Sequence, residues 1–330
     1  MKKITKIMGV LFAFVLAAMT PLLFTGCKTS MSLEDAAKTM VEAGRNYFDA
    51  HEDYDNFADT TITFNTTYKT SAEHDLTYKN ADNEEVEGTF TDTMDVKEDM
   101  TIVVKNVTRG EGDATYNVVH IAMNVVTTTK IHAYALDGEE HLQEATTDVT
   151  TTKVYTLASA VEGNEVYYYV ALHNTVQAAG EEEAVVTKRY YKFANKYAYL
   201  TSLDNYLEDL NEFIEEGYFG IQGEYLMLFA EFAKDGNKVE ISGEMTYPLV
   251  DASSQELIKV ARTAVYDGKN IDTATATMNA DMGNRHTEMT ANVKVDNNAA
   301  VVEVPDLTDY AENLSEITLN ELPDDDAFDF

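Results

Sequence analysis

The sequence predicts an α+β protein that is mostly antiparallel β: a large curved meander sheet, half-barrel-like, with an N-terminal helix and one or two amphipathic helices before the last strands. Three observations lead to this prediction. Long stretches alternate apolar and polar residues, turn dipeptides such as Asp137-Gly138 and Gly283-Asn284 separate them, and the 330 residues include only four prolines. Alternating stretches joined by such turns are typical of antiparallel hairpins.

The N-terminus has the layout of a secretory signal peptide. Lys2, Lys3 and Lys6 precede an uncharged, apolar run over 7–24, and small residues lead to Cys27. Basic residues before an apolar run stay in the cytoplasm, so the chain that follows the run is exported. We therefore expect an extracytoplasmic protein.

The end of the apolar run, Leu23-Phe24-Thr25-Gly26-Cys27, resembles the lipobox of bacterial lipoproteins, with Phe24 where Leu is usual. The resemblance implies that Cys27 receives a diacylglycerol anchor and becomes the first residue of the mature chain. An uncleaved membrane-spanning anchor is the alternative, since the run approaches the length that a bilayer requires. Pro21 and Gly26 interrupt the run and favour cleavage.

The predicted organisation has four parts. These are a signal peptide over 1–26, a lipidated cysteine with a short tether over 27–32, a single β-rich domain over 33–306, and an acidic C-terminal tail over 307–330. Cys27 is the only cysteine, which excludes intramolecular disulfides, multi-cysteine zinc sites and CxxC redox pairs.

The net charge excludes several kinds of partner. The predicted signal peptide contains three of the 24 basic residues and none of the 58 acidic ones, so the mature chain has a net charge near −37. Such a surface repels nucleic acids and anionic headgroups. We expect no nucleic-acid partner, and attachment to a bacterial membrane through the N-terminal lipid, whose two acyl chains are enough for stable anchoring.

The elements follow in order. Ser32 and Asp35 form a capping-box arrangement before a helix predicted over 33–52. From Thr60 the apolar period changes to two, which indicates strands. The predicted strands of this first group lie at about 60–68, 74–80, 85–107, 114–136, 144–157, 165–175 and 184–194.

The alternation breaks at 202–216, where an apolar face opposite six acidic residues predicts an amphipathic helix. The stretch 223–234 fits a second helix, although Asp235-Gly236 is also suited to a hairpin. The last third predicts a closing meander. Its strands lie at 239–247, 256–266, 269–282, 286–296 and 299–304.

The sequence contains no catalytic or metal-binding motif. The seven histidines form no HExxH spacing, no G-x-S-x-G elbow occurs, and lipidation removes the only thiol. A strand histidine such as His120 or His132 is most often hydrogen-bonded within the fold. We expect no enzymatic activity, no catalytic residue, no metal and no cofactor.

One sheet face suggests a hydrophobic cavity. Small residues and flexible methionines alternate along the strand at 269–282, and such a face leaves volume for a lipid-like ligand. The helix at 202–216 is predicted to lie against it, and ordinary core packing by that helix is the alternative. The candidate cavity residues are Ile62, Phe64, Tyr68, Met245, Ala274, Ala276, Met278, Met282, Met289, Val293, Leu207, Leu210, Phe213 and Ile214.

The order of elements resembles the LolA-like and LppX-like half-barrel lipoproteins over about 33–306. The best local match is Val293-Lys294-Val295, followed by Val302-Glu303-Val304-Pro305-Asp306. The resemblance implies a curved sheet around helices, with an apolar cavity that binds a lipid or another hydrophobic ligand. A surface or scaffolding lipoprotein with a solid core, acting through protein–protein contacts, is the alternative function.

Cys27→Ser is expected to abolish lipid attachment, because Cys27 carries the only thiol of the chain. Metabolic labelling with a fatty acid, followed by detergent partitioning, measures the effect. Ser30→Ala, three residues away, is the control and should be labelled like the wild type. A Cys27→Ser protein that still carries label and enters the detergent phase would contradict the lipobox interpretation.

Overall fold

A computed structural model describes residues 29–317, except 54, 56, 112, 182, 220–229, 249–256, 269 and 298–300; side chains at 111, 212–219 and 247–248 are also outside this description. The predicted signal peptide and Cys27 lie outside the described residues. The described helices are α1 (Leu33–Ala50) and α2 (Lys196–Phe219), with a short 3-10 helix at Leu307–Asp309. The described strands are β1 (Thr29–Ser30), β2 (Thr60–Lys79), β3 (Glu85–Glu111), β4 (Ala114–Leu136), β5 (Leu142–Glu162), β6 (Glu165–Ala178), β7 (Val185–Lys192), β8 (Glu231–Asp235), β9 (Lys238–Pro248), β10 (Leu257–Asp267), β11 (Asn270–Met282), β12 (Arg285–Asp296) and β13 (Ala311–Glu312).

All these strands belong to one curved sheet in the order β1-β8-β9-β10-β11-β12-β2-β3-β4-β5-β6-β7-β13. Neighbouring strands are antiparallel, except that β13 pairs in parallel with β7. Two meanders, β2–β7 and β8–β12, are joined where β12 pairs with β2, with Val293 opposite Phe64. The predicted fold class, mostly antiparallel β with an N-terminal helix, is confirmed.

The strands are much longer than the helices are wide. Strands β2 to β5 contain 20, 27, 23 and 21 residues, which corresponds to roughly 70 to 90 Å. The predicted separate strands at 60–68 and 74–80 are one continuous strand, β2. A helix is only about 10–12 Å wide, so one that crosses such strands covers only a band of the sheet.

Helix α1 crosses the strands in this way. The Ser32 hydroxyl accepts a hydrogen bond from the Asp35 N–H at 3.1 Å, which is the predicted cap. The Met31 N–H donates to the Phe232 carbonyl in β8, and beyond the other end of the helix His51 Nε2 lies 2.7 Å from Thr60 Oγ1 in β2. Five strand spacings separate β8 from β2, about 24 Å, which matches the length of about 27 Å for the 18 residues of α1.

Helix α2 begins earlier than the predicted residue 202. Asn195 caps it, since its Oδ1 accepts the Ala198 N–H at 3.0 Å. The helix lies over β4 to β6: the Tyr199 hydroxyl donates to the Val119 carbonyl, and the Tyr206 ring stacks on Tyr155, with centroids 5.8 Å apart.

Residues 231–235 form strand β8, so the helix predicted over 223–234 is wrong at 231–234; residues 223–229 lie outside the described part. Residues 231–234 form a strand because a hairpin joins β8 to β9. Gly236 has a φ of 58°, a left-handed conformation that favours glycine, and Phe232 pairs with Ile241.

Both ends of the domain extend further than predicted. In the predicted tether, Thr29 pairs with Lys234. In the predicted tail, Tyr310 packs on the outer face beside Tyr169, and Ile317 is buried in the main core. Residues 301–306 form no strand, whereas one was predicted over 299–304.

Leu203→Ala is expected to lower the free energy of unfolding by about 2–5 kcal/mol, because a fully buried leucine would leave a cavity. Tyr197→Ala on the same helix is the control: Tyr197 is 82% exposed, so its loss should cost less than about 0.5 kcal/mol. Urea unfolding measures both variants. Equal effects would contradict the placement of α2.

Candidate functional site

The strand register assigns each side chain to a face of the sheet. Residues that pair directly across neighbouring strands share a face, and alternate residues along a strand share a face. Ile62 lies in the core under the helices, so Phe64 and Tyr68 also face inward, whereas Thr61 and Thr63 face outward. The predicted faces are confirmed: Ile62, Phe64, Met245, Met278, Met289 and Val293 lie on the inner face.

The helices fill the part of the inner face nearest to them. Ile62, Phe64 and Ala274 are buried in one core with Leu207 and Leu210 of α2, and Val293 packs against this core. These six predicted cavity residues therefore belong to solid packing, which is the alternative stated above. We call this part the upper concave face.

The prediction that the helix at 202–216 lies against the methionine face is wrong. Helix α2 packs over β4 to β6, and α1 lies over β9, β10 and β11. Only three residues join β7 to α2, so α2 folds back onto the strands nearest to β7. The side chains of Phe213 and Ile214 lie outside the described residues.

Below this core the inner face continues along the long strands. Met278 pairs with Val260 and Met289, and Met289 pairs with Tyr68. Among the predicted cavity residues here, Met289 is buried and the others are half-buried, and none belongs to the core that the described residues form around the helices. We call this set the lower concave face: Tyr68, Met245, Val260, Arg262, Ala276, Met278, Met282 and Met289.

Sequence reasoning missed two members of this face, Val260 and Arg262, and Arg262 is the charged one. It lies on the inner face between Gly243 and Ala276, two residues from Ala264 in the packed region. Its Nε atom is buried without a hydrogen-bond partner in the described part of the chain, and burial alone lowers the pKa of its guanidinium, with no described carboxylate acting against that effect. The available signal was a basic residue at an inward position of an alternating strand, between Val260 and Ala264.

Two other charges on the inner face, those of Glu98 and Lys153, compensate each other. Thr127 donates a hydrogen bond of 3.1 Å to Glu98. Burial raises the pKa of the Glu98 carboxyl, while Thr127 and the positive charge of Lys153 act in the opposite direction. Four strand spacings separate Glu98 from Arg262 along the sheet, roughly 19 Å, so Glu98 is no partner for that guanidinium.

Two cavities in the described part lie elsewhere. A polar one of about 420 Å³ lies between α1 and β1, beside Ser32 and Lys38. Another, of about 150 Å³, lies at the end of α1 beside His51 and Ile271. Neither is lined by a predicted cavity residue. The lower concave face lines neither of these two cavities, and its members are partly buried except Met289, which is 7% exposed.

A buried serine and histidine lie close together without forming a catalytic pair. Ser159 Oγ is 2.8 Å from His120 Nε2, the Ser159 N–H donates to the same nitrogen, and Arg109 Nε donates to Ser159 Oγ. Ser159 and His120 are 0% and 1% exposed, so no substrate reaches them. Burial and the charge of Arg109 lower the pKa of His120 to about 3. The neutral ring of His120 links β4 to β5 through Ser159, close to the last residues that pair between these strands.

No group of three or more His, Cys, Asp or Glu side chains in the described chain is arranged to hold a metal ion. The described helices also include none that is long and apolar enough to cross a membrane.

Comparison with known proteins adds little. No family model matches the chain, and no curated protein matches it. Among solved structures, the translocator domain of autotransporter NalP from Neisseria meningitidis aligns with 79% of this chain and 96% of that domain, at 9% identity and a TM-score of 0.19. That likeness is too weak to carry an argument.

The stability of the fold is expected to depend on His120 below pH 6.5. An unfolded histidine has a pKa near 6.5, whereas the pKa of His120 in the fold is about 3. Between these values the unfolded state binds more protons, so the free energy of unfolding falls as the pH falls, by about 2 kcal/mol at pH 5.

Urea unfolding of the wild type and of His120→Gln at pH 7.5 and pH 5 measures this. The variant lacks the titrating group, while the other histidines contribute equally to both proteins. The wild type should therefore lose about 2 kcal/mol more than the variant between the two pH values. Equal losses would contradict a buried, neutral His120.

Proposed function

We propose that this chain is a membrane-anchored extracytoplasmic lipoprotein whose lower concave face holds a lipid or another hydrophobic ligand. One observation carries the proposal: Tyr68, Met245, Met278 and Met282 are only partly buried on the inner face of the sheet, outside the core that the described residues form around the helices. Contiguous apolar surface of this kind marks a binding site more often than ordinary surface does. Methionine suits an irregular ligand because its side chain is flexible.

The dimensions of this face fit an acyl chain. The row Met245, Val260, Met278, Met289 and Tyr68 crosses five neighbouring strands, and four strand spacings correspond to about 19 Å. Half of the hydrocarbon core of a bilayer, the layer that one acyl chain occupies, is about 15 Å thick. One acyl chain lying across the strands therefore matches the row in length.

The position of the predicted anchor is consistent with this role. Only Lys28 separates Cys27 from Thr29, the first residue of β1, so a lipid on Cys27 would hold the edge of the sheet next to the membrane. The chain has an excess of 34 negative charges, which disfavours adsorption to anionic lipids. Access to membrane lipids would then depend on the anchor.

A scaffolding lipoprotein remains the second candidate, and an observation at the opposite edge favours it. Val185 and Val186 in β7 are 68% and 52% exposed, whereas β13 pairs with β7 at Arg189 and Tyr190. A strand edge with exposed apolar residues is suited to pairing with another chain. In this alternative the solid packing of the upper concave face would continue into the lower face.

Ala276→Phe separates the two candidates. Ala276 is half-buried on the lower concave face, so a ring placed there should fill ligand space and block binding with little loss of stability. Ala274→Phe, two residues along the same face, is the matched control: Ala274 is 7% exposed in the core, and overpacking there should cost about 1–3 kcal/mol.

Native mass spectrometry of the full-length chain in a neutral detergent measures bound lipid, and urea unfolding measures stability. The proposal predicts lipid on the wild type, a loss of that lipid in Ala276→Phe, and a loss of stability confined to Ala274→Phe. A wild type without lipid, together with an equal loss of stability in both variants, would refute the ligand-binding function and favour the scaffold.

A further inference from the structure

The lower concave face contains a guanidinium, that of Arg262, whose Nε has no hydrogen-bond partner among the described residues. Arg262 pairs through its backbone with Gly243 on one side and Ala276 on the other, and neither neighbour has a polar side chain. Its Nε is buried and donates to no atom of the described residues. Its closest same-face neighbours along β10 are Val260 and Ala264, both apolar.

Burying part of a cation without a partner costs free energy, and a bound anion would remove that cost. A buried cation loses hydration that only a partner replaces, and the planar guanidinium fork matches a carboxylate with two parallel hydrogen bonds. Exposed cations of the chain do have partners of this kind, such as Lys238 with Asp272 at 2.9 Å. No described carboxylate plays that part for Arg262.

The position of Arg262 relative to the methionine row gives the shape of the missing partner. Arg262 is two residues from Val260 on β10, about 7 Å along the strand, so its guanidinium lies beside the apolar row of the lower concave face. A ligand that satisfies both features has one anionic end and one extended apolar chain.

We propose that the ligand of this face is a fatty acid, with its carboxylate bound by the Arg262 guanidinium and its chain lying on Met245, Met278 and Tyr68. This inference rests on the proposed function and names its ligand class. A carboxylate fits better than a phosphate, because a phosphate has more oxygens to satisfy and Gly243 and Ala276 provide no side-chain donor. The negative charge of the whole chain gives an anion no long-range attraction, so recognition depends on this local pair.

The test compares two probes that share one acyl chain, of which only one has a charged head. Hexadecanoic acid and its methyl ester are titrated against the full-length chain in a neutral detergent, and native mass spectrometry reports the occupancy. The wild type should bind the acid about tenfold more tightly than the ester, the lower end of what hydrogen bonds to a charged group contribute.

Arg262→Met should remove that preference by weakening the acid about tenfold and leaving the ester unchanged. Arg262→Lys keeps the charge without the planar fork, so its preference for the acid should lie between those of the wild type and Arg262→Met. It provides a second variant should the Arg262→Met protein fold poorly. Arg45→Met, on the exposed side of α1, is the control and should keep the wild-type preference.

The outcomes are distinguishable. If both Arg262 variants keep the wild-type preference for the acid, or the wild type has none, the role of Arg262 is refuted while hydrophobic ligand binding stands. If hexadecyl phosphate binds more tightly than the acid, the carboxylate assignment is wrong. If the wild type binds neither the acid nor the ester, the proposed function fails, and this inference fails with it.

Discussion

The pairing of β12 with β2 is the interaction on which the rest of the sheet depends. It joins residues more than 200 positions apart, as where Thr70 meets Thr287, and it converts two meanders into one surface. Its register also determines every inward position, because a slip of one residue would turn each side chain of a strand to the other face. Phe64 opposite Val293 and Tyr68 opposite Met289 both follow from this one alignment.

The inner face is divided into two parts because the strands are much longer than a helix is wide. A helix that lies across strands protects only about 10–12 Å of their length, whereas β3 has 27 residues. The upper concave face therefore has ordinary core residues such as Ile62 and Phe64, while the lower face includes partly buried methionines and Arg262, whose Nε has no hydrogen-bond partner among the described residues. The proposed lipid site is thus the part of the sheet that the described side chains of α1 and α2 do not cover.

Local patterns in the sequence were sufficient where the structure depends on neighbours in the chain. The period of two gave the inward face of β2, and Ser32 gave the start of α1. The patterns failed where distant pairing decides: residues 231–234 are a strand because β9 lies beside them. The placement of α2 follows from its short connection to β7, and the lack of a described partner for Arg262 Nε depends on which residues the other strands place beside it. Neither can be read from periodicity.

The division of the inner face into a packed upper part and a more accessible lower part is open to a direct test. Methionine oxidation tests it, because hydrogen peroxide converts an accessible thioether to the sulfoxide. Met100 and Met123 are 9% and 8% exposed in the packed core, whereas Met245 and Met278 are half-buried below it. Peptide mapping of ligand-free protein after brief oxidation should find Met245 and Met278 oxidised while Met100 and Met123 stay reduced; equal protection of all four would contradict the account.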